Sequence, residues 1–399
     1  MVRILHTGDL HALPAPLSGF DRAEEWRRSA AALGSIARDR KVDLVVVAGD
    51  LFDRNRPTPA EIATVAAALG DLTEAGPVFV VPGTPSHDGD GPDRMGPTRL
   101  LAELGLRYVT VATEPEVFLP AGCAVACLPG VSKSWLANTD EAKGLSPVAL
   151  HQLVAAKLAE VIRGLAARAA TSPGPRILVG HLSVDGCVTS SDESIRMTAE
   201  PTLARDAFPA VFGAVCLGHI HKPQVVQERE PWIGYCGSLV RANWGEEADH
   251  RGCWVLDLDD ATGDLRSAEF VDLPATRLQT IEIDISRMSD DPNAFLCSWR
   301  DTDLYGEIVR FKAKAREDQA KVLDHRAIES AVMVGGALHF AGIVLDVERT
   351  TRSRAEGVTA SMGPAQALEA YIDHSPELVP DKADLLDRAR VLQGVGADV

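Results

Sequence analysis

Five short apolar runs in this chain each end in glycine and pass at once, or nearly so, into aspartate or histidine: ILHTGDLH, LVVVAGDLFD, VFVVPGTPSHD, RILVGH and AVCLGHIH. Glycine lets a chain turn sharply as it leaves a sheet, and the carboxyl ends of neighbouring strands are where an α/β fold gathers its ligands. The recurrence therefore asks for a fold in which Asp9, His11, Asp50, Asp53, His87, Asp88, His181, His219 and His221 converge. Taken singly the pieces say little. Asp9 alone reads as a cap for the segment after it, and His181 alone as a structural histidine at a strand end. Two histidines two apart on an extended segment point the same way, so His219 and His221 say more. All five in one chain argue for a shared site, whereas His6, His151, His250, His325, His339 and His374 have no such context and read as core or surface residues.

The pattern around these runs fits. Apolar, β-branched segments at 2–7, 43–48, 77–82, 106–112, 123–128, 175–180 and 212–217 alternate with helical periodicity at 22–39, 60–75 and 146–170, the signature of a layered α/β domain. From 223 the strand candidates crowd together (223–228, 231–236, 252–258, 266–272), which predicts a second, more antiparallel sheet facing the first. The fold class is thus α/β, with two sheets face to face and helices outside. Domain 1–274 is followed by a small α+β unit, 275–349, with strands 278–284, 306–313 and 337–347 and helices 290–300 and 323–333. A linker at 350–363 leads to a tail, 364–399, whose two short amphipathic helices cannot bury their apolar faces alone.

Carboxylate oxygens with imidazole nitrogens and no thiolate suit Mn, Fe, Zn or Mg. So many ligands allow two ions about 3.5 to 4 Å apart, with one bridging carboxylate, for which Asp50 is the best placed. The seven cysteines are odd in number, scattered and never spaced C-x-x-C, so they read as reduced core residues. Apolar residues at 46% describe an ordinary globular chain. No apolar run reaches the roughly 18 to 20 residues that span a bilayer. With no signal-peptide layout after Met1, a cytoplasmic location is expected, in a bacterial or phage-infected cell, and no membrane partner.

In their order, D-x-H, G-D-x-x-D, a G-N-H-D-like loop, G-H and G-H-x-H, the motifs resemble those of the calcineurin-like metallophosphoesterases, over residues 3 to 223. GDLFD, GHIHKPQ and YCGSLVRANWGEE followed by HRGCWVLDLD resemble the SbcD branch of DNA-repair nucleases in particular. The resemblance implies a four-layer α/β/β/α sandwich with a small α+β capping domain, an accessory DNA-binding unit, and a C-terminal helical tail. It implies two divalent ions, Mn2+ foremost with Mg2+, Fe2+ or Zn2+ as alternatives. Asp9, His11 and His221 would hold one ion, Asp50 both, and His181 and His219 the second. His87 would be the catalytic histidine and Asp88 the carboxylate orienting it. One departure stands out: the family's asparagine before the catalytic histidine is missing from Gly83-Thr84-Pro85-Ser86-His87-Asp88, so that Ser86, Thr84 or a water must take its place.

The implied activity is exonuclease or endonuclease cleavage of DNA in repair or processing. Arg54, Arg56, Lys133, Arg196, Lys222 and Arg241 would contact phosphates, and the partners would be an SMC-type ATPase of the SbcC kind, met by the tail, and a second copy of the chain. A formal charge of −17 points away from an autonomous nucleic-acid binder, but metal ions and local basic groups can reverse the field in one cleft. Two other readings stay open: a phosphatase or phosphodiesterase for nucleotides or other small phosphoesters on the same metal core, and a scaffold for an ATPase in which the altered loop has ended the chemistry.

Overall fold

A computed structural model describes residues 1–89, 95–119, 122–130, 140–190, 201–288, 303–348, 357–359 and 361–394. Expectations for Lys133, Arg196, Cys297, the helix 290–300 and most of the linker 350–363 fall outside them. The chain divides into two compact units. The first comprises Met1–Ile281, Leu296–Phe311 and His325–Ile343, and the second Glu282–Phe295, Lys312–Asp324 and Val344–Val399.

The first half of the chain runs β1 (Val2–Thr7), α1 (Ala23–Asp39), β2 (Leu44–Ala48), α2 (Pro59–Leu72), β3 (Val78–Val81), α3 (Pro97–Leu104), β4 (Val109–Val111), β5 (Glu116–Phe118), β6 (Ala124–Leu128), α4 (Pro147–Ala170) and β7 (Arg176–His181). The short pair β8 (Ser183–Val184) and β9 (Thr202–Leu203) precedes β10 (Ala214–Gly218), β11 (Gln224–Gln227), β12 (Trp232–Tyr235), β13 (Gly252–Leu258) and β14 (Leu265–Asp272). Two six-stranded sheets result, in the orders β14-β13-β1-β2-β3-β4 and β11-β12-β10-β7-β6-β5.

Alternation along each strand assigns the layers. In β2, Val45 and Val47 join a core with Trp26 and Leu33 of α1, Val65 and Leu69 of α2 and Leu101 of α3. Leu44, Val46 and Ala48 of the same strand face the other way, into a core shared with Ile177, Val179, Ala214 and Cys216 of the second sheet. The far side of that sheet packs Leu178, Val215 and Leu217 against Val154, Leu158 and Ile162 of α4. The first unit is therefore layered α/β/β/α. β2 and β3 are fully buried on both faces, which is why they read as unbroken apolar runs rather than alternating ones.

One expectation is corrected. Strands 224–272 do not form a second sheet of their own. β11 and β12 extend the sheet of β10, with β12 parallel to β10, while β13 and β14 return to the first sheet, β13 antiparallel to β1. Both sheets are mixed, each with a parallel centre and an antiparallel edge.

Strands β15 (Leu278–Asp284), β16 (Ile308–Arg316) and β17 (His339–Glu348) form a three-stranded sheet in that order. The helices of this part and of the tail are α5 (Glu317–Val322), α6 (His325–Val334), α7 (Pro364–Asp373) and α8 (Lys382–Gly394). Within the second unit, Gln319 Nε2 donates to the Ile285 carbonyl and Arg316 Nη1 to that of Ser286. Among the described residues the six cysteines form no disulfide, and no helix is long and apolar enough to cross a membrane.

Candidate metal centre

The parallel order β10-β7 in one sheet and β1-β2-β3 in the other brings five strand ends to the same edge of the sandwich. The loops leaving β1 and β2 are laced together there: Asp9 N–H donates to the Gly49 carbonyl at 2.9 Å and His11 N–H to that of Asp50 at 3.0 Å. Asp9, His11, Asp50 and His219 all have positive φ, at 45°, 41°, 47° and 96°, a conformation that costs a non-glycine residue on the order of 1 kcal/mol. Strain gathered on four candidate ligands marks a site whose side-chain directions matter more than local comfort. The glycines answer a different need. A Cβ at Gly49 would stand 2.3 Å from Nδ1 of His181, and one at Gly83 would stand 2.0 Å from Oδ1 of Asp50, so no larger residue fits at either place.

Three groups of side chains could each hold a cation: Asp9 with His11 and His221, His11 with Asp50 and His87, and Asp9 with Asp50 and His181, the donor atoms of each lying within 4.8 Å of one another. Oδ2 of Asp50 links the second and third groups, 3.4 Å from His181 Nε2 and 3.9 Å from Nε2 of both His11 and His87. His219 is close but falls in none of the three groups. Its backbone N–H donates to both oxygens of Asp9, at 2.9 and 3.0 Å, and its ring lies 5.2 Å from that of His181.

Two imidazoles are already turned for coordination. Nδ1 of His181 lies 2.8 Å from the Ala48 carbonyl, which fixes the proton on Nδ1. Nε2 is left buried without a hydrogen bond. Nδ1 of His221 lies 2.9 Å from Oε1 of Glu246, with the same consequence. A second ring nitrogen held by a carbonyl or carboxylate is the usual support of a metal-bound histidine. The donor set thus fits divalent cations of the borderline-hard kind.

The electrostatics agree. Burial lowers the His181 pKa, but Asp50 and then Asp9 outweigh it and bring it to about 10. The field that favours a proton on this nitrogen equally favours a metal cation. Burial would raise Asp50, yet His181, His87 and His11 hold it well below the usual carboxylate range. Burial lifts Asp9 to about 6, while burial and His221 push His11 well down, keeping its imidazole neutral.

Several expected roles change place. Asp88 does not touch His87. Its buried carboxylate accepts from the backbone N–H groups of Leu51, Phe52 and Gly83, tying the β2 and β3 loops together, whereas Nδ1 of His87 lies 2.9 Å from the Asp53 carbonyl. Ser86 is exposed, and among the described residues its hydroxyl reaches Thr84, at 3.1 Å. Thr84 is the member of that loop in contact with a ligand: its N–H and hydroxyl lie 2.6 and 3.0 Å from Oδ1 of Asp50.

Among the expected phosphate contacts, Arg241 is interior, 9% exposed, and donates to the carbonyls of Glu246, Thr276 and Asp249. A guanidinium spent on three carbonyls is a strut for the protein itself. Arg54 and Arg56 are exposed, Arg54 paired with Glu61 at 2.6 Å, and Lys222 is half-exposed, 3.6 Å from Asp249. Glu246 received no role from the sequence. A carboxylate in a Gly-Glu-Glu turn resembles surface charge, and only its 0% exposure betrays it.

Residues 2–223 match the family model described as calcineurin-like phosphoesterase. Curated relatives include the SbcD component of the nuclease SbcCD from Bacillus subtilis, 28% identical over 265 residues, covering 64% of this chain and 66% of the relative. The protein of the same name from Rhodobacter capsulatus is 28% identical over 281 residues, with the same coverage. The one from Escherichia coli K12 is 27% identical over 315 residues, covering 75% of this chain and 74% of the relative. The chain spans just under two thirds of the length of the first two.

Proposed function

The chain belongs to the calcineurin-like phosphoesterase family, and from that premise we propose that it is a metal-dependent DNA nuclease of the SbcD type. The observation that carries the reading is the way the three ligand groups interlock. Asp9 is common to two of them, His11 to two and Asp50 to two, so they make one continuous donor set rather than three separate sites. A set of that size accommodates a pair of cations, for which Mn2+ is the first choice. Bound there, divalent ions would supply a water that loses its proton near neutral pH and positive charge to offset the phosphate oxygens.

The chain's own part is to aim the ligands and to move one proton. Asp9, His11 and His221 would hold one ion and His181 and His219 the other, with Asp50 shared by both. His87, its Nδ1 set by the Asp53 carbonyl, gives a proton from Nε2 to the leaving oxygen. Thr84 fills the place of the family's asparagine by steadying Asp50, with Ser86 behind it. Arg54, Arg56 and Lys222 make sequence-independent contacts to phosphates. The relatives are named as one component of a nuclease, SbcCD. This chain is assigned a matching partner, an SMC-type ATPase met by the tail from Pro364, and assembly as a homodimer in DNA repair.

The test is Mn2+-dependent digestion of end-labelled single- and double-stranded DNA beside hydrolysis of a nitrophenyl phosphate ester. The expected result is DNA shortened only when metal is present. Rapid ester turnover with intact DNA would reassign the chain to small phosphoesters, and loss of residues 360–399 without loss of ATPase co-purification would remove the tail from the interface.

A further inference from the structure

The metal centre leans on one residue outside its donor set. Glu246 ends the short turn Trp244–Glu246 and is 0% exposed. Its Oε1 lies 2.9 Å from Nδ1 of His221. Its Oε2 accepts from Nη2 of Arg251 at 2.7 Å, from the Ala242 N–H at 2.9 Å and from the Ser238 hydroxyl at 3.4 Å. Arg251, itself 2% exposed, turns its other terminal nitrogen to the His221 carbonyl and the Ser238 hydroxyl. The backbone and the ring of His221 are therefore held from one buried ion pair.

Burying that pair is expensive and is repaid only where the geometry and the remaining hydrogen bonds are good. Here nearly every bond made by the pair ends on His221 or on the 238–242 segment beside it. We propose that Glu246 is a positioning residue for cation binding: by accepting the hydrogen bond from Nδ1–H of His221 it fixes the tautomer that leaves Nε2, 3.1 Å from Nε2 of His11, as the donor to a divalent ion. Arg251, bonded to Oε2, holds the carboxylate in that direction. The inference rests on the metal-centre reading above and adds to it the residue that sets the affinity of the Asp9, His11 and His221 group.

The test is calorimetric titration of the full chain with Mn2+ for the parent, Glu246→Gln, His221→Ala and the double variant. Glu246→Gln is expected to weaken Mn2+ binding ~10- to 100-fold and to add nothing once His221 is alanine. Parent-like affinity in Glu246→Gln overturns the proposal. So does an undiminished effect in the His221→Ala background, which would make Glu246 a general packing residue. Ring-nitrogen NMR of His221 in the metal-free parent at alkaline pH gives a second readout that needs no variant to fold. A proton on Nδ1 supports the assignment and one on Nε2 overturns it. A parent that takes up no Mn2+ in the titration would sink the metal-centre reading itself, a different outcome from parent and Glu246→Gln binding alike.

Discussion

His87 is oriented by the backbone carbonyl of Asp53, 2.9 Å from its Nδ1, and not by a neighbouring carboxylate. A carbonyl cannot be removed by a side-chain substitution, so Asp53→Asn should leave the ring where it is and keep DNA cleavage within a few-fold of the parent. His87→Ala, by contrast, removes the proposed proton donor and should lower the single-turnover rate ~10²- to 10⁴-fold. Metal content would be measured alongside, since His87 also lies within reach of the ligand group of His11 and Asp50. A His87→Ala protein that cleaves at the parental rate would end the assignment of His87 as the acid.

Thr84 reaches Asp50 through both its N–H and its hydroxyl. Only the hydroxyl is open to mutation. Thr84→Val keeps the shape and loses the bond, and is expected to weaken Mn2+ binding about tenfold, in the range for lost outer partners of a ligand. Thr84→Ser keeps the bond and should stay close to the parent. If Val and Ser behave alike, the hydroxyl does not steady Asp50.

The five strand ends were legible because the geometry of parallel strands leaves so few ways to gather ligands: wherever an apolar run, a glycine and an Asp or His coincide, the ligand must lie at a carboxyl end. Nothing comparable tells a strand which partner to choose. The segment 224–272 reads correctly as strands, yet periodicity is the same whether β12 pairs with β13 or runs parallel to β10, and long-range register decides. Glu246 and Arg251 were hidden for a related reason. Their role comes from burial beside His221, some 25 and 30 residues away in sequence, and no local pattern announces burial of a charged turn. The role expected of Asp88 came from the family resemblance and not from a local pattern, and its carboxylate is instead taken up by the backbone N–H groups of Leu51, Phe52 and Gly83.

His6 lies on β1 between the sheets, 0% exposed, with Nε2 3.1 Å from the Leu217 carbonyl. Burial lowers its pKa from 6.5 to about 3. The unfolded chain therefore binds a proton between those values that the folded chain refuses, and stability contributed by the neutral ring is present above pH 6.5 and lost as pH falls toward 3. Between pH 7.5 and 5 this one group should cost the parent roughly 2 kcal/mol. His6→Gln carries no titrating group, so the stability gap between parent and variant in urea unfolding should narrow by that amount on acidification. A gap that stays constant would mean that His6 is not held neutral.

Arg241 and Lys222 make opposite predictions, and together they separate scaffold from substrate contact. The Arg241 guanidinium serves three carbonyls at 2.8 to 3.2 Å, and burial, with Arg251 nearby, lowers its pKa to about 10. Lysine cannot reproduce a planar fork, so Arg241→Lys leaves buried carbonyls unpaired and should cost about 1 to 3 kcal/mol of stability. Cleavage per folded molecule, and its dependence on salt, should be unchanged. Lys222 is half-exposed and lies beside His221 in sequence. Lys222→Ala should scarcely move the melting temperature, yet weaken DNA binding and shrink the salt dependence of binding by about one unit of slope. If the salt slope instead falls on Arg241→Lys and not on Lys222→Ala, the phosphate path runs through the interior arginine and the division between strut and contact is wrong.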